Sequence, residues 1–328
     1  MSDFDAYRIF DEDGKVEGRL VTVTLEDLSE GEVVIETAYS SVNYKDALAV
    51  AGTARIVRRF PLTGGIDLAG SVVSSESPLF EKGDHVVVTG YELSVTHDGG
   101  YAGFARVPAE WVVRVPDGLS AFDTMAIGTA GFTAALCIVQ MESNGLSPEG
   151  GPVIVTGATG GVGSVAVELL ATLGYDVTAL TGKDSEHDHL RSLGAKEVLS
   201  RHELEMGTRP LEKSMWAGAV DPVGGDILAW LTRTMKYGGC ISSCGLTAGI
   251  DLKTTVLPFI LRGVSLLGID SAACPMARRQ EVWRRLGADM KPTRLPTVAK
   301  EITLADLPEA FATLLAGEAR GRTVVKLN

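Results

Sequence analysis

Cysteine is scarce in this chain. Its 328 residues include only four, Cys137, Cys240, Cys244 and Cys274. So few in a chain of this length do not make a disulfide framework; they read as buried thiols in a reducing compartment. Cys240 and Cys244 also lack the C-x-x-C spacing of a zinc knuckle. Histidine is equally sparse, with five scattered residues. His187 and His189 flank Asp188 on a polar stretch, where a solvated helix face explains them. No cluster of Cys, His and Glu has the spacing of a metal site, so no metal is expected. Positive charge is in deficit as well: 30 Lys and Arg against 42 Asp and Glu leave a net charge of −12. That argues against nucleic acid as a partner. No apolar run reads as long enough to cross a membrane. The segment Met1–Arg8 is too polar for a signal peptide, and no lipidation motif is present. Together these absences point to the cytoplasm. Internal repeats and low-complexity segments are also missing.

What is present is an ordinary globular composition, 45% hydrophobic and 22% charged, in a chain long enough for two domains. Residues 1–124 carry short β-like runs separated by Gly, Pro and Asp, such as Val33–Thr37, His85–Val88 and Trp111–Val115. They predict a barrel-like, all-β unit. From residue 125 the texture changes. Apolar strands alternate with helical patterns at 152–156, 177–181, 197–199, 218–221, 239–243 and 264–269. Near-continuous apolarity in six such strands predicts a parallel sheet covered on both faces, an α/β architecture. After residue 272 come a polar helix, a last helix at 305–315 and a strand at 323–327. That strand is expected to return to the β unit. The division is therefore 1–124 completed by 272–328, with 125–271 as the nucleotide-binding domain.

The densest signal is Gly157-Ala158-Thr159-Gly160-Gly161-Val162-Gly163, between an apolar strand and the amphipathic run Val165–Leu173. Gly157 can take the angles of a tight strand-to-helix turn. Gly160 and Gly161 let a pyrophosphate approach the main chain. Gly163 lets the helix pack close to the strand. N–H groups of the first helical turn then face the phosphates. About twenty residues on, where NAD enzymes place an acid for the ribose, the next strand ends in Thr181-Gly182-Lys183. A cation there suits a 2'-phosphate, which favours NADPH over NADH.

Three segments carry more than composition: Ser41-Val-Asn43-Tyr44-Lys-Asp46, Gly65-Ile-Asp67 and Gly128-Thr129-Ala-Gly-Phe-Thr133. With Trp216–Asp221, Tyr237-Gly238-Gly239-Cys240, Pro258–Arg262, Gly268–Ser271 and Gly321-Arg322-Thr-Val-Val-Lys326, they resemble the acryloyl-CoA reductase (AcuI/YhdH-like) family. That family lies in the zinc-independent, quinone-oxidoreductase-like branch of the medium-chain dehydrogenase/reductases. The resemblance implies a GroES-like β-barrel catalytic domain plus a Rossmann doubly wound sheet, and a homodimer. It implies an oxidoreductase that uses NADPH to reduce the C=C bond of acryloyl-CoA. Gly64, Pro222 and the segment Gly100–Gly103 depart from the family pattern and leave loop geometry and substrate range open. A quinone or enone reductase is the alternative on the same scaffold. A non-catalytic, crystallin-like nucleotide binder is a second.

Reducing an enoyl thioester takes a hydride at the β-carbon, a proton at the α-carbon and donors for the enolate oxygen. The resemblance places Tyr44 beside the nicotinamide, as a proton or hydrogen-bond donor or as a packing surface for the cofactor. Asn43 and Asp46, three apart, are candidates for catalysis or for capping a helical turn. Thr129, Thr133, Leu266 and Arg322 match cofactor positions, the last as a candidate phosphate contact. Gly238 and Gly239 are expected to let the main chain approach the nicotinamide. The basic island Arg55, Arg58 and Arg59 offers guanidinium groups for the phosphates of coenzyme A.

Overall fold

A computed structural model describes residues 3–294 and 299–327. The chain forms two compact units, and the transition between them falls at Thr129. It lies inside a helix, five residues later than the texture change placed it. The first unit holds described residues 3–129, Ala272–Gly287 and 299–327. The second holds Ala130–Ser271 and Ala288–Arg294.

The first unit begins with a hairpin of β1 (Phe4–Glu12) and β2 (Lys15–Val23). Asp13 and Gly14 turn it with φ of 54° and 85°. Positive angles at both central residues match the right-handed twist of the flanking strands. β1 also pairs with β4 (Leu62–Thr63). The main sheet holds seven strands. Its centre is β3 (Val33–Ser41) against β5 (Asp67–Ser75), followed by β6 (His85–Thr89) and β8 (Val113–Arg114). β7 (Phe104–Val107) also joins β3. Alternating inward residues of these strands, including Val33, Ile35, Leu68, Val86, Val88 and Val107, form one buried core. After the second unit, β15 (Lys300–Thr303) and β16 (Thr323–Lys326) enter the same sheet, and Val325 of β16 pairs antiparallel with Ser40 of β3. Helix α1 (Tyr44–Ala51) shares a core with the last helix, α8 (Leu307–Leu315), through Ala47, Tyr101, Leu307 and Phe311.

The second unit is a six-stranded parallel sheet. Its strands are β9 (Val153–Val155), β10 (Val177–Thr181), β11 (Glu197–Ser200), β12 (Trp216–Asp221), β13 (Met235–Ser243) and β14 (Ser265–Gly268). Their spatial order is β11-β10-β9-β12-β13-β14. Counted from β9, that is 3-2-1-4-5-6, the dinucleotide-binding order. The switch point falls between β9 and β12, and the glycine turn leaves the carboxyl end of β9. The predicted α/β sheet is therefore present, with all six strands near their expected places. Ile154, Ala219 and Ile241 pack on Trp216, Trp230 and Leu231.

One sequence reading needs correction. Helix α2 (Ala121–Ser143) is long and apolar enough to cross a membrane. Within its apolar window 83% of residues are buried in the fold, so its apolarity is that of a core helix. It breaks at Gly128, whose φ of 51° and ψ of −162° lie outside helical space.

Candidate functional site

The glycine turn is built as its residue types require. Gly157 has φ of 54°. Gly160 is the N-cap of α3 (Gly161–Thr172), and the first bond back into the cap runs from the Ser164 N–H to the Gly160 carbonyl at 2.9 Å. The earlier N–H groups of the turn have no intrahelical acceptor. A Cβ on Gly163 would fall on the Gly157 carbonyl oxygen, so helix and strand touch there. A Cβ on Gly160 would meet only that same oxygen, at 3.3 Å. The turn thus leaves space over Gly160 for a bulky anion, and the residues fit a dinucleotide pyrophosphate.

The switch point is locked by Asp221, named above only as the end of the Trp216–Asp221 segment. The Asp221 carboxylate, at the end of β12, accepts the Thr156 hydroxyl at 2.5 Å and the N–H groups of Gly224 and Val223 at 3.0 and 3.3 Å. Burial raises its pKa, and the bond from Thr156 opposes that shift most strongly. One side chain thereby ties the ends of the two strands that flank the nucleotide crevice.

At the far end of the turn, Thr181 Oγ accepts the Lys183 N–H at 3.0 Å and lies 3.4 Å from Thr159 Oγ. Beside them is Arg201, also absent from the sequence expectations. A Cβ on Gly182 would meet its guanidinium at 2.9 Å, and His202 Nε2 lies 3.0 Å from the Gly182 carbonyl oxygen. Register explains this: β10 and β11 are parallel, with Thr181 opposite Ser200. The residues that follow each strand therefore emerge side by side. Lys183 and Arg201 thus follow neighbouring strands of the sheet.

Gly238 and Gly239 are a correction. They sit in a bulge in the amino-terminal half of β13, where pairing with β12 jumps from Met235 to Cys240. Ligands of such sheets bind beyond the carboxyl ends of the strands, so these glycines serve the bulge. Thr133 donates its hydroxyl to Ser271 Oγ at 2.7 Å. Leu266 lies in β14, the edge strand, opposite Ile241.

In the first unit a buried polar cluster surrounds the base of α1. Asn43 is the N-cap and forms a capping box with Asp46. Asp46 Oδ2 accepts the Asn43 N–H at 2.9 Å and Oδ1 the Ile66 N–H at 3.0 Å. With Asp46 1% exposed, its carboxylate serves the cap and faces no solvent, so the geometry favours the capping reading over direct catalysis. Burial pushes its pKa up to about 7, and the neighbouring Asp67 charge adds to this. Asp67 Oδ2 accepts Ser41 Oγ, Asn43 Nδ2 and the Thr129 N–H at 2.6 to 2.8 Å, and Oδ1 accepts Thr129 Oγ1 at 2.5 Å. The Tyr101 hydroxyl donates to the Ser41 carbonyl at 3.1 Å. Tyr44 begins the helix above this cluster and is 43% exposed.

Arg322, expected at a phosphate, is 4% exposed within this cluster. It donates to the carbonyls of Ala126 and Val42, to Asn43 Oδ1 and to Ser41 Oγ, at 2.9 to 3.3 Å. The basic island also separates. Arg59 pairs with Asp98 at 2.8 Å and donates to Ser29 at 2.7 Å. Arg55 is exposed. Arg58 and Lys45 line a cavity of about 280 Å³ walled by Tyr91, Trp111, Val95 and Ala272. Of the three arginines, Arg58 is the one that lines this cavity.

Gly128 shows how tightly the cluster is closed. A Cβ there would stand 2.5 to 2.8 Å from Arg322 Nη2, Ser41 Oγ and Asp67 Oδ2, and its backbone angles belong essentially to glycine. Gly128→Ala is expected to destabilise the fold by about 3 kcal/mol, adding a clash to the backbone strain. A fall in Tm of about 5 °C or more would register it; an unchanged Tm would show that the cluster can open.

Among the described residues, no three His, Cys, Asp or Glu side chains are grouped to hold a metal ion. Residues 29–117 match the alcohol dehydrogenase GroES-like domain, and residues 161–289 match the zinc-binding dehydrogenase domain. The chain is 51% identical to the putative quinone oxidoreductase YhfP of Bacillus subtilis over 93% of both chains. The solved structure of that protein with NAD bound superposes with a TM-score of 0.97, covering 100% of each chain. It is 48% identical to the probable acrylyl-CoA reductase AcuI of Escherichia coli, over 97% of this chain and 98% of that one. The yhdH oxidoreductase of Salmonella enterica, solved in complex with NADP, gives a TM-score of 0.96 at 47% identity, covering 99% of this chain and 100% of that one. With the fold, the glycine turn and near-full-length identity in agreement, the chain belongs to the acryloyl-CoA reductase (AcuI/YhdH-like) family of the medium-chain dehydrogenase/reductases.

Proposed function

We propose that this protein is an NADPH-dependent reductase of acryloyl-CoA. Bound NADPH supplies a hydride to the β-carbon. As the C=C bond opens, its electron pair moves onto the thioester as an enolate, and a proton taken up at the α-carbon completes propanoyl-CoA. The protein's own residues bind, orient and donate. The turn Gly157–Gly163, with Thr159, Gly160, Gly161 and Val162, receives the pyrophosphate. Thr181, Gly182, Lys183 and Arg201 receive the 2'-phosphate end. Thr133 and Leu266 line the cofactor. Tyr44 is the donor to the enolate oxygen or the α-carbon, on a turn shaped by Asn43 and Asp46. Among the basic residues, Arg58 is the one proposed to meet the coenzyme A phosphates, with Lys45 beside it.

The observation that carries this reading is identity of about half the residues, across nearly the whole chain, to a protein named as a probable acrylyl-CoA reductase, joined to the Arg201 guanidinium beside Gly182 after the glycine turn. The name of YhfP favours a second reading, a quinone reductase. A panel of acryloyl-CoA, crotonyl-CoA and a benzoquinone, each run with NADPH and NADH, tests both. The expected result is the highest kcat/KM for acryloyl-CoA with NADPH. A benzoquinone preferred over both thioesters would overturn the substrate assignment. NADPH binding without turnover of any acceptor would point to a crystallin-like binder. The proposal includes a cytoplasmic homodimer. The edge position of β14 and the exposed apolar residues Ile250, Val256, Ile260 and Leu261 support a second copy as partner.

A further inference from the structure

We propose that Arg322 and Asp67 form a positioning pair that holds the Tyr44 turn through the Asn43 side chain, and that Arg322 is not a ligand of the dinucleotide. The inference rests on the donor role of Tyr44 given above and adds the device that presents it.

The two ends of the Asn43 carboxamide are read by opposite charges. Oδ1 can only accept, and it faces Arg322 Nη1 at 3.3 Å. Nδ2 can only donate, and it reaches Asp67 Oδ2 at 2.8 Å. Turning the amide over would set a donor against the guanidinium and an acceptor against the carboxylate. The pair therefore fixes the side chain that caps α1, and the residue after that cap is Tyr44. Arg322 also grips the main chain on the approach to the cap, through the Val42 carbonyl, and Ser41 Oγ. A guanidinium has five N–H groups, and four bonds of Arg322 end on residues 41–43 and 126. Little donor capacity is left for a phosphate, and 4% exposure leaves little access.

Charge completes the device. Asp46 on α1 and Asp67 on β5 are both buried and Tyr101 lies against them; burial lowers the pKa of Arg322, and Asp67, Asp46 and Tyr101 oppose that shift by favouring its charged form. Removing that cation takes a favourable positive charge away from the Asp46 carboxyl, whose pKa burial already pushes up to about 7, and so favours its protonated form. Asp46 would then hold the cap as a carboxylate only at higher pH, so the Tyr44 turn would loosen on the acidic side.

The test is Arg322→Gln beside Arg322→Lys, with Ser41→Ala as a variant that keeps every charge and removes one Arg322 acceptor. Arg322→Gln is expected to lower kcat by at least tenfold and to move the acidic limb of kcat/KM to higher pH. The Kd for NADPH, read by fluorescence, should stay within about twofold. Arg322→Lys should recover part of the rate, and Ser41→Ala should show a smaller loss of kcat with Kd preserved. Combined with Tyr44→Phe, the loss from Arg322→Gln should be less than additive, because both act through one group. A tenfold rise in Kd with kcat intact at saturation would make Arg322 a phosphate ligand and overturn the proposal. A lower Tm with kcat and the pH limb unchanged would reduce it to a structural tie, and additive losses with Tyr44→Phe would overturn it as well. Full activity of Tyr44→Phe alone would remove the donor role, and this proposal with it.

Discussion

Tyr44→Phe is expected to lower kcat for acryloyl-CoA by about 100-fold, the low end of what a positioned proton donor contributes. The Kd for NADPH should change by no more than about twofold, since the ring and its packing surface remain. Tyr44 opens α1 on a cap held by buried bonds, yet is itself 43% exposed. It is the hydroxyl-bearing side chain that the buried cluster presents outward, whereas the carboxyl of Asp46 is enclosed. An interaction made only in the transition state lowers kcat and kcat/KM together. A rise in KM alone, with kcat intact, would mean that Tyr44 binds substrate and that the proton comes from elsewhere.

Reversing both cations at the ribose end, Lys183→Glu with Arg201→Glu, is expected to have an effect of comparable size on cofactor choice. A hydrogen bond to a charged group contributes about 1.5 kcal/mol or more, and about 1.4 kcal/mol is a tenfold change in affinity. Two such bonds lost, with like charges put in their place, should lower the NADPH-to-NADH ratio of kcat/KM by about 100-fold or more. A carboxylate near the ribose hydroxyls should at the same time preserve NADH use. The single variants locate the effect. If Lys183→Glu alone shifts the preference and Arg201→Glu does not, the 2'-phosphate is held from β10 only. If neither does, the turn binds the two cofactors without discrimination.

How far the site was legible depends on the range of the interaction. Gly157, Gly160 and Gly163 could be assigned from sequence because their roles are local: a positive φ, open space above the main chain, a close strand-to-helix packing. Lys183 was proposed on the same local ground, as the residue following the strand that follows the turn. Arg201 carries no such signal. An arginine after an apolar strand is an ordinary surface residue until β10 and β11 are set in register and Thr181 is found opposite Ser200. Gly238 and Gly239 misled in the opposite direction, because a glycine pair looks alike whether it serves a ligand or a bulge. Helix α2 misled for a related reason: apolarity counts burial without saying whether the burying medium is lipid or protein.

By itself the sequence determined the short β-like runs of the β unit, the alternation of apolar strands with helical patterns that makes a parallel sheet, the phosphate turn and membership in a family through runs of contiguous residues. Each is written in neighbours along the chain, where backbone angles and side-chain period act. Tertiary structure alone decided which charges meet. Arg322 reaches Ser41 across 281 positions, Asp67 reaches Thr129 across 62, and Thr156 meets Asp221 across 65. A buried charge is tolerable only when partners surround it, and those partners come from strands whose adjacency is a property of the sheet. That is why Arg322 reads as a phosphate ligand in one dimension and as the clamp on the Tyr44 turn in three.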